Sequence, residues 1–502
     1  MKELIDIGTS RQLFINGTFI EKSESVDLIV HAPAKTGELN IVADKPWEHK
    51  IGGYNSVLFF NGAYHMWYTI MGLDTGSNAV GYAISEDGII WQKPDLGLAA
   101  DLPNGGVNVV LGFGAAGISG GLFDGSLMVF EDPHANADKQ LKMTIRLVQG
   151  AGLSLFSSKD GRRWIDEGSI ILTDHRKYNE KGEFIGDGFH LDSQNVILWD
   201  DRIGSYITYA RKNFDFPGQR RTVARGVSPD LFNFADAAEL NVVLAPDELD
   251  PTMDYYTNAA VKYPWADNVY LMFPSAYYKY EGWFGKLYGE EPRNAGPMDI
   301  RFAASRDGIS WNRFNRRPYV ALGRRGSFDD ASLYMVHGVV PGDGENLYMY
   351  YSGSDINHGW GRQDDYREPN NRILTDAGFA PLQDTSAISR LIVRQDGFTS
   401  VRGHYSGGSF ETPQMRFSGS RLILNADTSA LGEIRVGLRR GDGTPIPGFE
   451  IEECIPVHSV NDTRIGVRWR GGINLSSIRD TPLKMEFCVR DADLYSFQFT
   501  ED

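Results

Sequence analysis

The chain has 502 residues, which is too many for one ordinary hydrophobic core, so two or three units are expected. A formal net charge of −16 without any basic tract argues against a nucleic-acid partner. No segment approaches the roughly 20 apolar residues of a membrane span, and the N-terminus lacks the apolar core of a signal peptide, so we expect a cytoplasmic protein that does not bind membranes.

The first part of the chain predicts an extended arm over residues 1–45, with the hairpin QLFINGTFIEKS inside it. The pattern does not indicate which unit the arm packs on. A high aromatic content of 12% together with 56 glycines favours many short strands joined by tight turns.

An internal repeat follows the arm. The segments AISEDGIIW, FSSKDGRRW, GVSPDLFNF and AASRDGISW each run from a strand into a turn, and LIVRQDGFTSV is a weaker fifth copy. Their aspartates recur at intervals of about 70 to 90 residues and are Asp87, Asp160, Asp230, Asp307 and Asp396. Because Asp and Gly suit a tight reversal of the chain, we interpret these aspartates as turn residues without a chemical role.

Each copy also contains two earlier predicted strands, such as GGYNSVLFF and AYHMWYTI in the first copy. Four strands repeated at this interval are typical of β-propeller blades, which stand around a central axis. Five copies therefore predict a five-bladed β-propeller over residues 46–403.

The strand pattern changes after residue 403. The segments RFSGSRLILNADTS, GEIRVGLRRGDGTPIPGF, TRIGVRWRGG and LKMEFCVRDADLYSFQF alternate between strands and Gly/Asp turns, which predicts a β-sandwich over residues 404–502. The whole chain is thus predicted to be all-β. Its two cysteines, Cys454 and Cys488, lie in predicted strands, and we interpret them as buried thiols rather than as a disulfide.

The innermost strands of a propeller line a central funnel, and ligands meet the leading ends of these strands. Carboxylates lie at or near all five predicted inner-strand starts, and they are Glu48, Asp124, Asp192, Asp254, Asp329 and Asp330. Carboxylates that converge on one funnel raise each other's pKa, which suits general acid–base chemistry. For Asp124 and Asp330, a turn cap or a structural cation ligand is an equally open interpretation.

With five repeats, rim carboxylates and a C-terminal sandwich, the chain resembles the five-bladed propeller glycoside hydrolases, the group of the invertases and arabinanases. The segments PWEHKIGGYNSVLFFNGAYHMWY, HLDSQNVILWDD, DYYTNAAVKYP and RDADLYSFQF are similar to a bacterial branch of that group. The resemblance implies three acidic residues from the first three blades, acting as nucleophile or base, as stabiliser and as acid. By position these are Glu48, Asp124 and Asp192.

Two features depart from the group's pattern. The Asn-Asp-Pro and Arg-Asp-Pro motifs of the invertases are absent, and Asp192 stands where the pattern has Glu.

The third inner strand adds two candidates for substrate binding, His190 and Asn195. A period of two places His190 and Asp192 on one strand face, and Asn195 reaches that face only through a bulge.

The fourth and fifth inner strands supply further candidates for substrate binding. Asp254 precedes Tyr256 and Asn258, which share one strand face and suit hydrogen bonds to sugar hydroxyls. His337 lies in the fifth inner strand and points either into the channel or into the sheet interface. Packing in the core is an equally open interpretation for Tyr256.

Two long segments with many aromatic residues, YYKYEGWFGKLYGEEPRNAG and DINHGWGRQDDYREPNNRILTDAG, are predicted to wall the funnel. Trp283 and Trp360 in these segments are candidates to stack on sugar rings. A walled funnel favours an exo mode of attack on a short substrate.

We therefore expect a glycosidase that uses paired carboxylates on an oligosaccharide or glycoside, releasing a terminal sugar. The resemblance implies a furanosyl residue. We expect no required cofactor, and a structural calcium or a water beside His337 is also implied by the arabinanase-like relatives. Two alternatives stay open, namely a glycoside phosphorylase and a non-catalytic glycan-binding propeller. The phosphorylase would bind phosphate through Arg220, Arg221 and Arg225, which the sequence also allows as a solvated or strand-face charge run.

Overall fold

The computed structural model describes residues 4–71, 78–102, 105–119, 122, 126–147, 152–173, 191–214, 220–250, 253–278, 296–358 and 385–501. These ranges consist of β-strands and their connections, as the composition predicts, and their helical segments are the 3-10 turns Gly17–Phe19, Ala237–Glu239 and Leu475–Ser477. None of the helical segments in these ranges has the length and apolar character needed to cross a membrane.

Repeats one to three each form a separate four-stranded antiparallel sheet, with the strands in chain order. The strands of repeat one are Lys50–Phe60, Ala63–Met71, Ala79–Ser85 and Val109–Leu111. Those of repeat two are Met128–Glu131, Leu141–Ile145, Gly152–Ser158 and Ile165–Thr173. Those of repeat three are Val196–Asp200, Ser205–Phe214, Arg220–Ser228 and Asn241–Leu244.

Repeats four and five are less regular and are joined by a parallel pairing of Met298 with Ser332. Each of three strands of repeat four is interrupted, and the segments are Met253–Tyr255, Val261–Lys262, Tyr270–Met272, Ser275–Tyr278, Met298–Ile300 and Ala303–Ser305. The strands of repeat five are Ser332–Met335, Val340–Pro341, Asn346–Ser354 and Ser386–Arg394.

The N-terminal arm completes both repeat five and the C-terminal unit. Its segments Ala34–Lys35 and Ile41–Val42 pair with the strand Ser386–Arg394 and form the outer edge of repeat five. The arm's Glu38 forms an ion pair with Arg390 of that strand, at 2.9 Å. The other arm strands pair with the C-terminal unit and are Ile5–Gly8, Gln12–Leu13, Lys22–Glu24 and Val26–Val30.

The C-terminal unit consists of a seven-stranded and a six-stranded sheet around one apolar core. Its own strands are Thr399–Gly403, Gly408–Glu411, Met415–Phe417, Arg421–Asp427, Glu433–Arg440, Val457–His458, Asn461–Gly466, Leu483–Arg490 and Ala492–Thr500, beside a two-stranded ribbon of Cys454–Ile455 and Arg468–Trp469. Phe487 of one sheet and Phe497 of the other meet in this core. Cys454 and Cys488 are free thiols, as predicted; Cys454 is buried, whereas Cys488 is only half-buried.

Hydrogen bonds join each repeat to the next and repeat five to repeat one. Between repeats one to five in order, the bonds are Val129 N to Ser56 Oγ (3.1 Å), Gln194 Nε2 to Leu127 O (2.9 Å), Asn258 Nδ2 to Tyr209 O (3.0 Å) and Ser275 Oγ to Leu333 O (3.0 Å). The bond from His337 N to Asn55 O (2.9 Å) links repeat five to repeat one. The repeats therefore close into a ring with their first strands at the centre.

The repeated aspartates bind the amides of their own turns. Asp87 Oδ1 accepts hydrogen bonds from the amides of Ile89 (2.8 Å) and Ile90 (2.9 Å). Asp160 and Asp307 accept the equivalent pair of bonds, and Asp230 accepts one of them. These contacts confirm that the four aspartates are turn residues.

The glycine that follows the aspartate carries the contact between repeats. The Trp67 indole of repeat one donates a hydrogen bond to Gly161 O (2.7 Å) in the turn of repeat two. The same contact joins the Tyr209 hydroxyl to Gly308 O (2.8 Å) and the Tyr350 hydroxyl to Gly88 O (2.5 Å). The three glycines have φ between +70° and +74°, and a Cβ at Gly161 would lie 2.3 Å from the Trp67 ring. Only glycine can adopt this positive φ without strain and also leave room for the close approach of the Trp67 ring.

We expect Gly161→Ala to lower the free energy of unfolding by about 2 to 4 kcal/mol, because it adds a clash with Trp67 to the strain of a left-handed backbone. Gly62→Ala is the matched control, since Gly62 has φ +78° but open space where its Cβ would stand. Its expected cost is about 1 kcal/mol. Urea unfolding followed by fluorescence measures both variants, and equal losses would contradict the proposed role of the turn glycine.

Candidate functional site

Side chains from repeats one, three, four and five meet at the end of the ring where the first strands begin. We call this group the funnel cluster, and its members are Tyr54, Asp192, Arg211, Arg221, Asp254, Tyr256, Tyr277, Tyr334 and His358. The antiparallel sheets place the starts of first and third strands, and the ends of second strands, at this same end.

A β-bulge in the first strand of repeat one directs Tyr54 into the funnel cluster. The pairing register with the second strand shifts between Ile51 and Asn55, on either side of Gly52 and Gly53. A Cβ at Gly53 would lie 2.7 Å from the Tyr334 ring, so that ring packs directly on the glycine backbone. Bulges commonly redirect a side chain next to a functional site, and this one brings Tyr54 and Tyr334 into edge-to-face contact at 6.0 Å.

Tyrosines from three repeats form the floor of the cluster. The hydroxyls of Tyr54 and Tyr256 lie 3.1 Å apart, and their rings are nearly parallel with centroids at 6.5 Å. Tyr334 stands edge-on to both rings, and its hydroxyl lies 3.1 Å from Nδ1 of His358. The His358 ring lies 4.5 Å from that of Tyr256.

The two central phenols stay protonated at neutral pH. Burial raises the pKa of Tyr54 well above its usual value, and the neighbouring Tyr256 and the charge of Asp192 raise it further. Burial and Asp192 also raise the pKa of Tyr256, while Arg221 and Arg211 oppose that rise. Because the Tyr54 hydroxyl donates to that of Tyr256, the proton of Tyr256 is the one available for a further hydrogen bond.

Two arginines of repeat three pair with the aspartates of the cluster and lie over Tyr256. Nη2 of Arg211 is 3.4 Å from Oδ2 of Asp192, and its other terminal nitrogen donates to the backbone carbonyl of the same residue. Asp254 accepts hydrogen bonds from the amide and from Nη1 of Arg221, both at 3.1 Å. The guanidinium carbons of Arg221 and Arg211 lie 4.9 Å and 5.8 Å from the centre of the Tyr256 ring.

The two aspartates differ in exposure. The side chain of Asp192 is 30% exposed, whereas that of Asp254 is 1% exposed. Asp192 can therefore reach a ligand in the funnel. Asp254 holds Arg221 in place.

The structure places the candidate amides Asn195 and Asn258 in the framework of the site. Asn195 is buried, accepts a hydrogen bond from the Arg211 amide (3.1 Å) and donates to the carbonyls of Leu191 and Ser193. It thereby shapes the loop that carries Asp192. Asn258 is buried and bridges Tyr209 O (3.0 Å) to the Ala260 amide (3.1 Å), so its amide holds repeat four against repeat three.

Within the described part of the chain, Glu48 contacts Lys93, Tyr68 and the Asp44 amide. Its side chain is fully buried; Oε2 forms an ion pair with Lys93 at 2.5 Å, and Oε1 accepts a hydrogen bond from the Tyr68 hydroxyl at 2.6 Å. Lys93 also bonds to Asp44 and to the Val42 carbonyl, at 2.6 Å and 2.7 Å. Glu48 therefore connects the arm to repeat one.

Among the remaining candidates, Asp329 and Asp330 have hydrogen-bond partners of their own, and four others lie outside the described ranges. Asp329 accepts hydrogen bonds from Lys35 of the arm (2.7 Å) and from the Tyr351 hydroxyl (2.8 Å). Asp330 accepts one from the Gly326 amide (2.7 Å), and burial raises the pKa of its carboxyl. Four predicted site residues lie outside the described residues, namely Asp124, His190, Trp283 and Trp360.

His337 is buried between the segments Ser332–Met335 and Val340–Pro341 of repeat five. Its Nε2 lies 3.1 Å from the Ala260 carbonyl, so this nitrogen carries the proton. Its Nδ1 is then an acceptor, and it is buried without a partner among the described residues, as is Oε1 of Gln194. A water suits such acceptors. Calcium takes 6 to 8 oxygen ligands, and the described residues contain no group of three or more His, Cys, Asp or Glu that could hold a metal. The structural calcium stays a prediction.

The sequence analysis missed Tyr54, Arg211, Tyr277, Tyr334 and His358. It considered Arg221 as a phosphate ligand or as part of a charge run, and not as a member of this cluster. One signal for Tyr54 was present, because two consecutive glycines inside a predicted strand indicate a bulge or a close backbone approach. Arg211 and Tyr277 come from second strands, Arg221 comes from a third strand and His358 follows a second strand, where no strand-start rule selects them. Tyr334 lies in the first strand of repeat five, where the strand-start rule selected only carboxylates and amides.

Comparisons with known proteins give similar structures. No family model matches the chain, and no curated protein matches it. A solved glycoside hydrolase is similar with 15% identity and a TM-score of 0.47, over 72% of this chain and 92% of that one. An N-acetylgalactosamine deacetylase from F. plautii, in complex with blood group B trisaccharide, is similar with 16% identity and a TM-score of 0.44, over 75% and 97%. The catalytic domain of an α-L-arabinofuranosidase from Coprinopsis cinerea gives 12% and 0.40, over 73% and 97%. Because these TM-scores lie below 0.5, we base the functional proposal on the side chains of this chain.

We expect His337 to make the protein less stable in acid. Burial lowers its pKa from 6.5 to about 4, so the unfolded chain binds a proton between these values that the folded chain does not. This penalty is absent above pH 6.5 and grows as the pH falls to 4, by up to about 3 kcal/mol. In His337→Gln the fall in unfolding free energy between pH 6.5 and 4.5 should become shallower.

The control is His49→Gln, because His49 is exposed. Urea unfolding at several pH values measures both variants. An unchanged pH slope in His337→Gln would show that His337 is not the group that titrates.

Proposed function

We propose that the chain is a glycosidase whose funnel cluster binds a terminal sugar and whose Asp192 is one of two reactive carboxylates. The observation that supports this proposal is the setting of Asp192. It is a partly exposed carboxylate beside protonated phenols and a guanidinium, at the leading ends of the inner strands. This combination suits a polyhydroxylated ligand and acid–base chemistry on it.

Each part of the cluster has a proposed task. The Tyr256 hydroxyl donates a hydrogen bond to a sugar hydroxyl, and the Tyr54 hydroxyl holds that of Tyr256 in place. The aromatic rings provide faces for the C–H groups of the sugar. Arg211 fixes the position of Asp192 through both its carboxylate and its backbone carbonyl. Asp254 fixes Arg221 over the Tyr256 ring. A rigid arrangement of this kind lowers the cost of orienting the substrate.

Cleavage of a glycosidic bond by this route needs a second carboxylate, so that one group protonates the leaving oxygen while the other acts as nucleophile or base. We propose Asp124 for this role, on the basis of its sequence position at the start of repeat two. For Glu48 we propose a structural role instead of the catalytic one, because its ion pair with Lys93 and its bond to Tyr68 occupy both carboxylate oxygens.

The substrate we propose is an oligosaccharide or a small glycoside, attacked in an exo mode at a terminal residue. The furanosyl preference rests on the sequence resemblance alone. A phosphorylase is less well supported, since Arg221 is paired with Asp254 and Arg225 lies beside the Tyr209 hydroxyl. A glycan-binding protein without activity stays an alternative that the first experiment below distinguishes.

Asp192→Asn should lower kcat/KM by about 10²- to 10⁴-fold, the usual effect of removing an acid–base group. The measurement is release of free sugar from a panel of furanosides, pyranosides and oligosaccharides. Thermal unfolding should show that Asp192→Asn remains folded. Asp138→Asn is the control, because Asp138 pairs with Lys159 at the surface.

The variant Glu48→Gln distinguishes a structural role of Glu48 from a catalytic one. We expect a loss of unfolding free energy of about 3 kcal/mol, because Lys93 loses its buried partner, and a kcat within a few-fold of the wild-type value.

Wild-type activity in Asp192→Asn would contradict the glycosidase site. Sugar binding without turnover in the wild-type protein, across the whole panel, would favour the binding protein.

Tyr256→Phe should raise KM by about three- to tenfold, the usual effect of losing one uncharged hydrogen bond, with a smaller change in kcat. Tyr405→Phe is the control, because Tyr405 is exposed in the C-terminal unit. Steady-state kinetics on the best substrate of the panel measures both variants. An unchanged KM in Tyr256→Phe would place the sugar away from the tyrosine floor.

A further inference from the structure

A cavity of about 540 Å³ lies between the N-terminal arm and repeats three and four, and we call it the lateral pocket. Its walls include Ile29 of the arm, Leu249, Met253, Phe302, Phe314 and Arg317. The volume is within the usual range of small-molecule sites. The pocket shares no residue with the funnel cluster.

One strand separates the lateral pocket from the funnel cluster. Met253 and Tyr255 line the pocket, whereas Asp254 and Tyr256 belong to the funnel cluster. Successive side chains of a strand point to opposite faces, so the two sites lie back to back across residues 253–256.

The lining of the pocket is positively charged. Four arginines and a single carboxylate, that of Asp250, are exposed to it, and the arginines are Arg301, Arg313, Arg316 and Arg317. The first three have ion-pair partners in Asp299, Asp247 and Asp250. Arg317 is exposed and has no ion pair within the described residues, so it contributes an uncompensated charge.

The segment that carries these arginines is held in a fixed conformation. Arg316 bonds to Asp250 Oδ1 at 2.8 Å and to Asp247 Oδ2 at 2.6 Å, and Arg313 bonds to Asp250 Oδ2 at 2.5 Å. Phe314 and Arg316 both have positive φ, at +44° and +56°, a conformation that side chains other than glycine rarely adopt. The ion pairs hold this strained segment, and strained backbone is concentrated at binding sites.

Phe302, Phe314 and Tyr319 also line the pocket and form an aromatic wall. Phe302 stacks between Phe314, at 5.6 Å, and Tyr319, at 5.2 Å, with interplanar angles of 25° in both cases. The Tyr319 hydroxyl is buried without a hydrogen-bond partner in the described ranges. A ligand of this pocket therefore meets both an apolar surface and guanidinium groups.

We propose that the lateral pocket binds a small organic anion, a ring compound that carries a carboxylate, of which a uronic acid is the simplest sugar example. The ring lies against the wall of Phe302 and Phe314, and the carboxylate pairs with Arg317. An inorganic anion would leave the apolar wall and most of the volume unused. The pocket is thus an accessory site for acidic ligands that is separate from the site of bond cleavage.

The test titrates the full-length protein with glucuronate, with neutral glucose and with glucose 6-phosphate, and measures binding by calorimetry and by NMR of the ligand. Glucuronate should bind at least tenfold more tightly than glucose. In Arg317→Gln the affinity for glucuronate should fall about tenfold, as expected for the loss of one charge-assisted hydrogen bond. Ala32→Trp, which fills the pocket from the exposed arm, should abolish binding.

Two controls connect the binding to the lateral pocket. Arg468→Gln removes an exposed arginine of the C-terminal unit and should leave the affinity unchanged. Asp192→Asn should also leave it unchanged, and this holds whether or not the glycosidase proposal is correct. Affinity that survives both Arg317→Gln and Ala32→Trp, or is lost in Asp192→Asn, would overturn the site. Tighter binding of glucose 6-phosphate than of glucuronate would overturn the carboxylate assignment. Failure of glucuronate to bind would overturn it as well.

Discussion

The contact between one repeat's aromatic side chain and the next repeat's turn glycine is the constraint on which the rest of the structure depends. It occurs from Trp67 to Gly161, from Tyr209 to Gly308 and from Tyr350 to Gly88. Each contact combines a buried hydrogen bond with the close approach of an aromatic side chain to a bare glycine backbone, so its geometry tolerates little change. The distance between repeats is set in this way at these three junctions, and the hydrogen bonds between repeats two and three and between repeats four and five complete the ring, so that the leading ends of the first strands converge.

The funnel cluster follows from that convergence. Asn55 in repeat one and Asn195 in repeat three do the same work, since each amide oxygen accepts a hydrogen bond from the amide of the neighbouring strand, at Thr69 and at Arg211. These buried hydrogen bonds fix the β-bulge that carries Tyr54 and the loop that carries Asp192. The side chains that could meet a ligand therefore rest on a buried polar framework, and this explains why polar residues near the strand starts are divided between structure and site.

The arm is the second constraint on the ring. Its strands pair with repeat five and with both sheets of the C-terminal unit, and its Lys35 and Glu38 pair with Asp329 and Arg390. A strand from the start of the chain thus closes the last repeat, which prevents an exposed sheet edge there. The same arm forms one wall of the lateral pocket, so the closure of the ring and the shape of that pocket depend on one segment.

The sequence by itself determined the all-β character, the repeat period, the turn role of Asp87 and its equivalents, and the free thiols, because each follows from local patterns of strand and turn residues. It also selected Asp192 and Tyr256, since both stand near a strand start that the repeat identifies. Only the tertiary structure decided which strand-start residues meet. Glu48 and Asp329 stand near predicted strand starts, as Asp192 does. Each nevertheless forms an ion pair with a lysine that is distant in sequence, Glu48 with Lys93 of repeat one and Asp329 with Lys35 of the arm. Arg211, Tyr334 and His358 enter the funnel through sheet pairing, a bulge and the closure of the ring, and these arise from contacts between distant residues that no local pattern encodes.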